Sequence, residues 1–389
     1  MLHEDTVHDI AYDYYGVRVA TCSSDRKIKL WEQGPGGANS WECVAAWVAH
    51  EGPILRVCWA PPHACGPGVL ASCSTDRKVV LWEERSSSSS VSGGQPTVNA
   101  NGESGVLGGS TTMGSAALSN AVATSNSSTG NGWLVLAQLV DARDDVTGIA
   151  FRHASSRLLL AAASADGMFR VYEAIDLANL HQWPLVFETF GAGVPRAGAL
   201  RCVAWYAPTV AEQDGALHAL VIGAEGHHAF VWVTERENNW CLAMVLDTSS
   251  GISNGGDENG GDSNDEAVLD VAWAPFLGFG KHLVAAGTRS GKVCVFEVGT
   301  ELLSRAALAR TEKEIYVKPA AVLIEHVPNS VQRVSWNITG ALLSSSDCTG
   351  GLKLWQSVPG NSGSTTSEWH CVGGTSSPAL QESRSSSQQ

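Results

Sequence analysis

The sequence predicts an all-β chain folded as a six-bladed propeller, and three observations carry that expectation. A strand-turn-strand unit recurs six times along the 389 residues. Each unit follows a short apolar strand that ends in an aromatic residue: Tyr12, Trp59, Phe151, Trp205, Trp273 and Trp336. Inside the units apolar and polar residues alternate, as in Lys27-Ile28-Lys29-Leu30-Trp31, which is the period of a pleated strand.

The opening strands read Ile10-Ala-Tyr12, Val57-Cys-Trp59, Ile149-Ala-Phe151, Val203-Ala-Trp205, Val271-Ala-Trp273 and Val334-Ser-Trp336. A hairpin follows each. The clearest are Val19-Ala-Thr-Cys-Ser-Ser-Asp-Arg-Lys-Ile-Lys-Leu-Trp31 and Leu70-Ala-Ser-Cys-Ser-Thr-Asp-Arg-Lys-Val-Val-Leu-Trp82, with Asp six residues before the Trp in both. Asp in such a tight turn bonds nearby backbone amides. Looser copies start at Leu160, Val221, Val284 and Leu343 and end at Tyr172, Trp232, Phe296 and Trp355. Fourth strands are read at Trp41–Val48, Trp133–Val140, Leu185–Thr189, Trp240–Leu246, Ala320–His326 and Trp369–Val372. Four antiparallel strands make one blade. A single blade leaves both faces bare, so blades pack face to face around a channel.

The pairing of Ser or Thr with Asp and Trp resembles the WD40 blade, in which a preceding His bonds the turn Asp. The resemblance implies a structural set of His50, Ser74, Asp76 and Trp82 in blade two, and of His3, Ser23, Asp25 and Trp31 in blade one. Ser164, Asp166 and Tyr172 take these places in blade three, and His326 and Trp355 belong to blade six. Blades four, five and six depart from it, with Gly226, Ser290 and Thr349 at the turn position, and those turns are expected to be held less tightly.

Composition excludes several classes. The net charge of −14 and pI of about 5.3 argue against a surface that tracks nucleic-acid phosphates. No apolar run approaches the roughly 20 residues that span a bilayer, and no signal peptide is visible before the first strand. The ten cysteines form no Cys-x-x-Cys pair and fit buried free thiols of a reducing compartment. Gly287–Val293 lacks the length and the Ser or Thr of a phosphate-binding loop. The acidic run Asp257–Glu266 lacks the glycine of a calcium loop, and His227-His228 point to opposite faces of a strand. No nucleophile and base are paired. The reading is of a non-enzymatic protein with no catalytic residues, cofactor or metal. One propeller domain is expected over 1–374, carrying a Ser/Gly/Asn-rich insert at 86–132 in blade two and a flexible loop at 249–266, with a Ser/Gln-rich tail at 375–389.

Blade one opens in its innermost strand and blade six closes in its outer one, so no spare strand is read that clasps the ring. An open ring is expected, with two bare blade faces that invite a partner by strand addition. Val7, Ile10, Tyr12, Leu352, Leu354 and Trp369 are the residues expected at that contact.

Val7-His-Asp-Ile-Ala-Tyr-Asp-Tyr-Tyr-Gly-Val-Arg-Val-Ala-Thr-Cys-Ser-Ser-Asp25 closely resembles the first blade of the Sec-thirteen homologue nucleoporins, propellers of the Y-shaped nuclear pore scaffold. Leu70–Arg77 with Trp82-Glu-Glu84, Ser164–Gly167 with Arg170–Ala174 and Asp176–Trp183, and Arg333-Val-Ser-Trp-Asn-Ile-Thr-Gly340 look like blades two, three and six. The resemblance spans roughly 7–84 and 133–356, with the 86–132 insert outside it. It implies an open ring completed by a blade from a helical scaffold nucleoporin, further Y-complex nucleoporins as partners, and a place at the nuclear envelope in support of nucleocytoplasmic transport. The related Sec-thirteen vesicle coat propeller is the alternative. The family also serves a nutrient-signalling complex at the vacuole or lysosome, which leaves a cytoplasmic or membrane-associated place open.

Overall fold

The computed structural model describes residues 2–34, 40–66, 68–85, 132–154, 157–193, 198–206, 218–226, 228–234, 239–249, 267–275, 281–301, 303, 315–358 and 368–375. The expectations for 86–131, 250–266, 376–389 and His227 lie outside the described residues.

Six antiparallel sheets follow one another along the chain. Blade one is Val7–Tyr12, Arg18–Ser23, Lys27–Gln33 and Trp41–Val48, and blade two is Ile54–Trp59, Val69–Ser74, Val79–Glu84 and Trp133–Leu139. Blade three is Val146–Ala154, Arg157–Ser164, Met168–Glu173 and Leu185–Phe190. Blade four is Leu200–Trp205, His218–Ala224, His228–Thr234 and Cys241–Asp247. Blade five is Val268–Trp273, Lys281–Thr288, Val293–Gly299 and Ala321–Leu323, and blade six is Val331–Trp336, Leu342–Asp347, Leu352–Val358 and Glu368–Thr375.

Blade four differs from expectation. A fifth strand, Tyr316–Val317, runs parallel to Cys241–Asp247 and pairs Tyr316 with Val245 and Val317 with Leu246. The fourth strand of blade five is correspondingly short, at Ala321–Leu323, and His326 lies beyond it. The segment that joins the third and fourth strands of blade five thus first covers part of the edge of blade four, which pairs backbone groups otherwise exposed there.

The hairpin turns follow the chemistry of their sequences. Arg26 and Arg77 adopt positive φ, 66° and 67°. Gly167, Gly291 and Gly350 hold the same turn position in blades three, five and six, where a side chain is not in the way.

The first strands of successive blades lie side by side from Val7–Tyr12 through to Val331–Trp336. They carry a shared irregularity: the pairing slips by one residue just before Asp9, Arg56, Cys202, Asp270 and Arg333. The slip is a β-bulge, which re-aims the following side chain. Gly148 holds this position in blade three, where a Cβ would come within 3.0 Å of Cys202 Cα.

The core is divided into five apolar clusters, one between each pair of consecutive blades from one–two to five–six. At the blade one–two contact Trp47 stacks on Trp133 with ring centres 5.2 Å apart, and both rings are buried. All ten cysteines are free thiols.

Candidate functional site: the open edge of the ring

Six blades in a closed ring make six face-to-face contacts. Here five apolar clusters exist, and blades six and one share none among the described residues. The exposure of blade one shows the consequence. Val7, Ile10 and Tyr12 are 42, 59 and 61% exposed. The residues at the Val7 and Ile10 positions of blades two to six are Ile54, Val57, Val146, Ile149, Leu200, Val203, Val268, Val271, Val331 and Val334, none more than 9% exposed. The same side chain types are sealed wherever a preceding blade covers them.

Tyr12 ends its strand where three other blades place a tryptophan that reaches back to its neighbour. Trp59 Nε1 donates to Ala11 O at 3.0 Å, Trp205 Nε1 to Ala150 O at 2.8 Å and Trp336 Nε1 to Ala272 O at 3.1 Å. Blade one has no such neighbour, and Tyr12 packs edge-on to its own Trp41.

On blade six, Leu352 and Leu354 are exposed, whereas Ile28 and Leu30, their counterparts in blade one, are fully buried. Trp369 is corrected to the other face. It packs partly buried into the blade five–six cluster, 5.7 Å from the Trp336 ring. Strand alternation explains this, because Trp369 and Cys371 share one side of their strand and His370 and Val372 the other.

Arg333 bridges the gap at the channel. Its Nη2 donates to His8 O at 2.7 Å and its Nε lies 3.4 Å from Asp9 Oδ1. Arg56 Nη2 crosses the channel to Asp270 Oδ1 at 2.7 Å, with its Nη1 3.9 Å from Asp9. Burial works against the Arg56 charge, but the Asp270 and Asp9 carboxylates outweigh it and hold its pKa above the ordinary value. Each carboxylate also accepts the next blade's backbone: Val57 N–H to Asp9 Oδ2 at 3.1 Å, and Val334 N–H to Asp270 Oδ2 at 2.9 Å. A cavity of about 550 Å³ opens beside these groups.

The blade networks take a different hydroxyl from the one expected. In blade two, His50 Nδ1 meets Asp76 Oδ2 at 2.9 Å, and His50 Nε2 meets Ser72 Oγ at 2.8 Å. Trp82 Nε1 donates to Ser72 Oγ at 2.9 Å. Ser74 instead accepts the Asp76 amide inside the turn, at 3.1 Å. In blade one Thr21 has the linking role: His3 Nδ1 to Asp25 at 2.8 Å, His3 Nε2 to Thr21 Oγ1 at 2.8 Å, and Trp31 Nε1 to Thr21 at 3.0 Å. Ser23 again accepts the turn amide, from Asp25. The linking residues sit on the strand, ten positions before the Trp, and that spacing is the signal in the sequence.

Blade six has a full network, contrary to the expectation built on Thr349. His326 Nδ1 meets Asp347 Oδ2 at 2.9 Å, His326 Nε2 meets Ser345 Oγ at 2.7 Å, and Trp355 Nε1 donates to Ser345 at 2.8 Å. Asp347 stands two residues earlier than Asp25 and Asp76 do in their blades, in the place of Ser23 and Ser74. Burial raises its pKa, and bonds from Thr349, His326 and Gly351 outweigh that and hold it at about 2. Asp25 and Asp76 are shifted the same way, against burial, by the bonds of His3 and His50 and of turn amides.

Blade three replaces the His with an arginine. Arg170 Nη2 donates to Asp166 Oδ2 at 2.9 Å, Ser164 Oγ bonds Asp144 O at 3.2 Å, and Tyr172 O–H reaches Asp141 Oδ2 at 3.1 Å. In blade four Trp232 Nε1 turns to Gly191 O at 2.7 Å, and in blade five Thr288 bonds Ser290 at 3.0 Å within the turn.

Among the described residues no cluster of His, Cys, Asp and Glu is arranged to hold a metal, and no helix is long and apolar enough to cross a membrane. The hydrogen-bonded His, Asp, Ser and Thr groups serve the blades, and the gap leaves Val7, Ile10, Leu352 and Leu354 uncovered. Fold and site together define a six-bladed WD40 propeller whose ring is open at one edge. Residues 2–32 and 41–83 match the family described as "WD domain, G-beta repeat". Over 372 residues the chain is 30% identical to "Nucleoporin SEH1" of Bos taurus and of Homo sapiens, covering 95% of this chain and 85% of each relative. It is 29% identical over 379 residues to "Nucleoporin SEH1-A" of Xenopus laevis, with the same coverage. The chain belongs to the SEH1 family of nucleoporins.

Proposed function

We propose that this chain is a non-enzymatic scaffold subunit of the outer, Y-shaped ring of the nuclear pore, and that a helical nucleoporin donates a blade to its open edge. The observation that carries this reading is the exposure of Val7, Ile10 and Tyr12 at positions sealed in the other blades. A donated sheet buries that face. Further Y-complex nucleoporins are its other partners, the nuclear envelope is its place, and support of transport through the pore is its role. Its acidic net charge of −14 leaves direct nucleic-acid binding outside this role. The relatives named above are nucleoporins, and those names carry the nuclear pore reading rather than a vacuolar, lysosomal or vesicle-coat one.

The test is a fluorescent fusion in its own cells carrying Ile10→Asp, with a tagged pulldown in parallel. Loss of the nuclear rim signal and of a helical nucleoporin, in a variant that melts like the parent, is the expected result. Unchanged recovery of that partner, or coat subunits recovered in its place, overturns the reading.

A further inference from the structure

The two lips of the gap differ in chemistry. On blade one the exposed residues are Val7 and Ile10, the apolar types that every other blade has at those positions. Blade six breaks its own repeat. Three positions on the face that each blade turns to the next are Ala11, Ala20 and Cys22 in blade one and Cys58, Ala71 and Cys73 in blade two. They are Ala150, Ala161 and Ala163, then Ala204, Val221 and Gly223, then Ala272, Ala285 and Gly287 in blades three to five. In blade six all three are serine: Ser335, Ser344 and Ser346. The second and third of these positions are buried in blades one to five, and both are half-buried in blade six.

We propose that the element filling the gap meets this channel-side half of blade six through hydrogen-bonding side chains, and meets blade one through apolar ones. This rests on the reading that a donated blade occupies the gap. A hydroxyl sealed against an apolar face gives up water with nothing in return, which is why the other interfaces use Ala, Cys, Val and Gly there. Ser344 Oγ donates to Ser335 O at 3.1 Å, and its lone pairs remain as acceptors. Arg333, paired in register with Ser346, is already held by His8 O and Asp9, so the complementary guest side chains are those that meet serine hydroxyls, namely hydroxyls and amides. Further out, Leu352 and Leu354 keep the apolar character of the repeat. A guest sheet therefore has two unlike faces and seats in one orientation.

The probe is the first three strands of one of the chain's own blades. A copy of Ile54–Glu84 is appended after Gln389 through a Gly-Ser linker in the full chain. A second version carries Ile54→Thr and Val57→Thr in the copy, β-branched changes that place hydroxyls on the side that faces blade one in the native ring and would face blade six in the gap. The expected result is that the threonine copy raises Tm more than the unaltered copy, by about 2–4 °C. On a lip changed by Ser335→Ala, Ser344→Ala and Ser346→Ala the order reverses. If the triple variant does not fold, the order on the serine lip decides alone. An unaltered copy that stabilises the serine lip as well as or better than the threonine copy overturns this inference and leaves the gap reading standing. If neither copy shifts Tm, the gap accepts no blade and both readings fall.

Discussion

In blade two, Ser72 Oγ lies between His50 Nε2 and Trp82 Nε1, and the donors close into one chain. The tryptophan N–H donates to the hydroxyl, the hydroxyl is bonded to imidazole Nε2, and imidazole Nδ1 is bonded to the Asp76 carboxylate. Ser72→Ala breaks two links and leaves two buried nitrogens unmet, a penalty of about 1–3 kcal/mol. Ser74→Ala removes one turn bond, to the Asp76 amide. The urea midpoint is expected to fall clearly for Ser72→Ala and less for Ser74→Ala; equal midpoints sink the assignment. His, Asp and Trp were legible from the resemblance because their types are distinctive. Ser72 and Thr21 were not, because a serine beside the turn Asp reads as its partner until strand alternation shows which hydroxyl faces the Trp. The carboxylates also set an acid limit. Their pKa values lie below the ordinary range in the fold, about 2 for Asp347, so they stabilise above about pH 4 and lose that contribution as pH falls toward 2. A melting series from pH 5 to 2 is expected to decline across that window, and Asp347→Asn is expected to flatten the decline.

Among the elements, the strands and their order were readable nearly throughout, since each blade repeats an aromatic at two fixed points. The exceptions have physical causes. Tyr316–Val317 is a two-residue strand with no alternation to detect, and it pairs outside its own repeat. The turn of blade six hid its acid, because Asp347 reaches His326 from a position two residues away from the usual one. Trp369 faces blade five because one residue of register decides the direction of every side chain in its strand, Glu368–Thr375. The fifth strand of blade four gives its own prediction. Val245 N–H donates to Ile315 O at 2.8 Å across that pairing. Val317→Pro removes a backbone donor and bends the strand away. Amide exchange at Val245 is expected to speed up while that of Leu30, in blade one, holds its rate. Unchanged exchange at Val245 would show that the short strand does not guard the edge.

At the scale of the whole molecule, a ring with five interfaces relies on its channel for what the sixth does not supply. Arg56 ties blade two to blade five across the channel and stands beside Asp9 of blade one, while Arg333 ties blade six to blade one. The four charges come from the one position after each bulge, and the small Gly148 and Cys202 fill the same position in blades three and four, so the sequence holds the pattern. Its meaning is not visible without the ring, since Arg56 and Asp270 are 214 residues apart. Both are largely buried, so Arg56→Met takes the cation away from the Asp270 carboxylate, while Asp9 keeps Arg333 beside it. Breaking a buried pair in this way costs about 3–5 kcal/mol. The lone ring is expected to lose that much in urea unfolding. A chain whose gap is filled has its blades held from outside as well, and the partner's binding energy adds to the stability of the folded form. Arg56→Met is therefore expected to leave the filled ring folded at urea concentrations that open the lone variant. The measurement is the pair of unfolding midpoints for parent and variant, each alone and with the gap occupied. A variant that unfolds alone at the parent's midpoint would mean that the channel charges do not brace the ring.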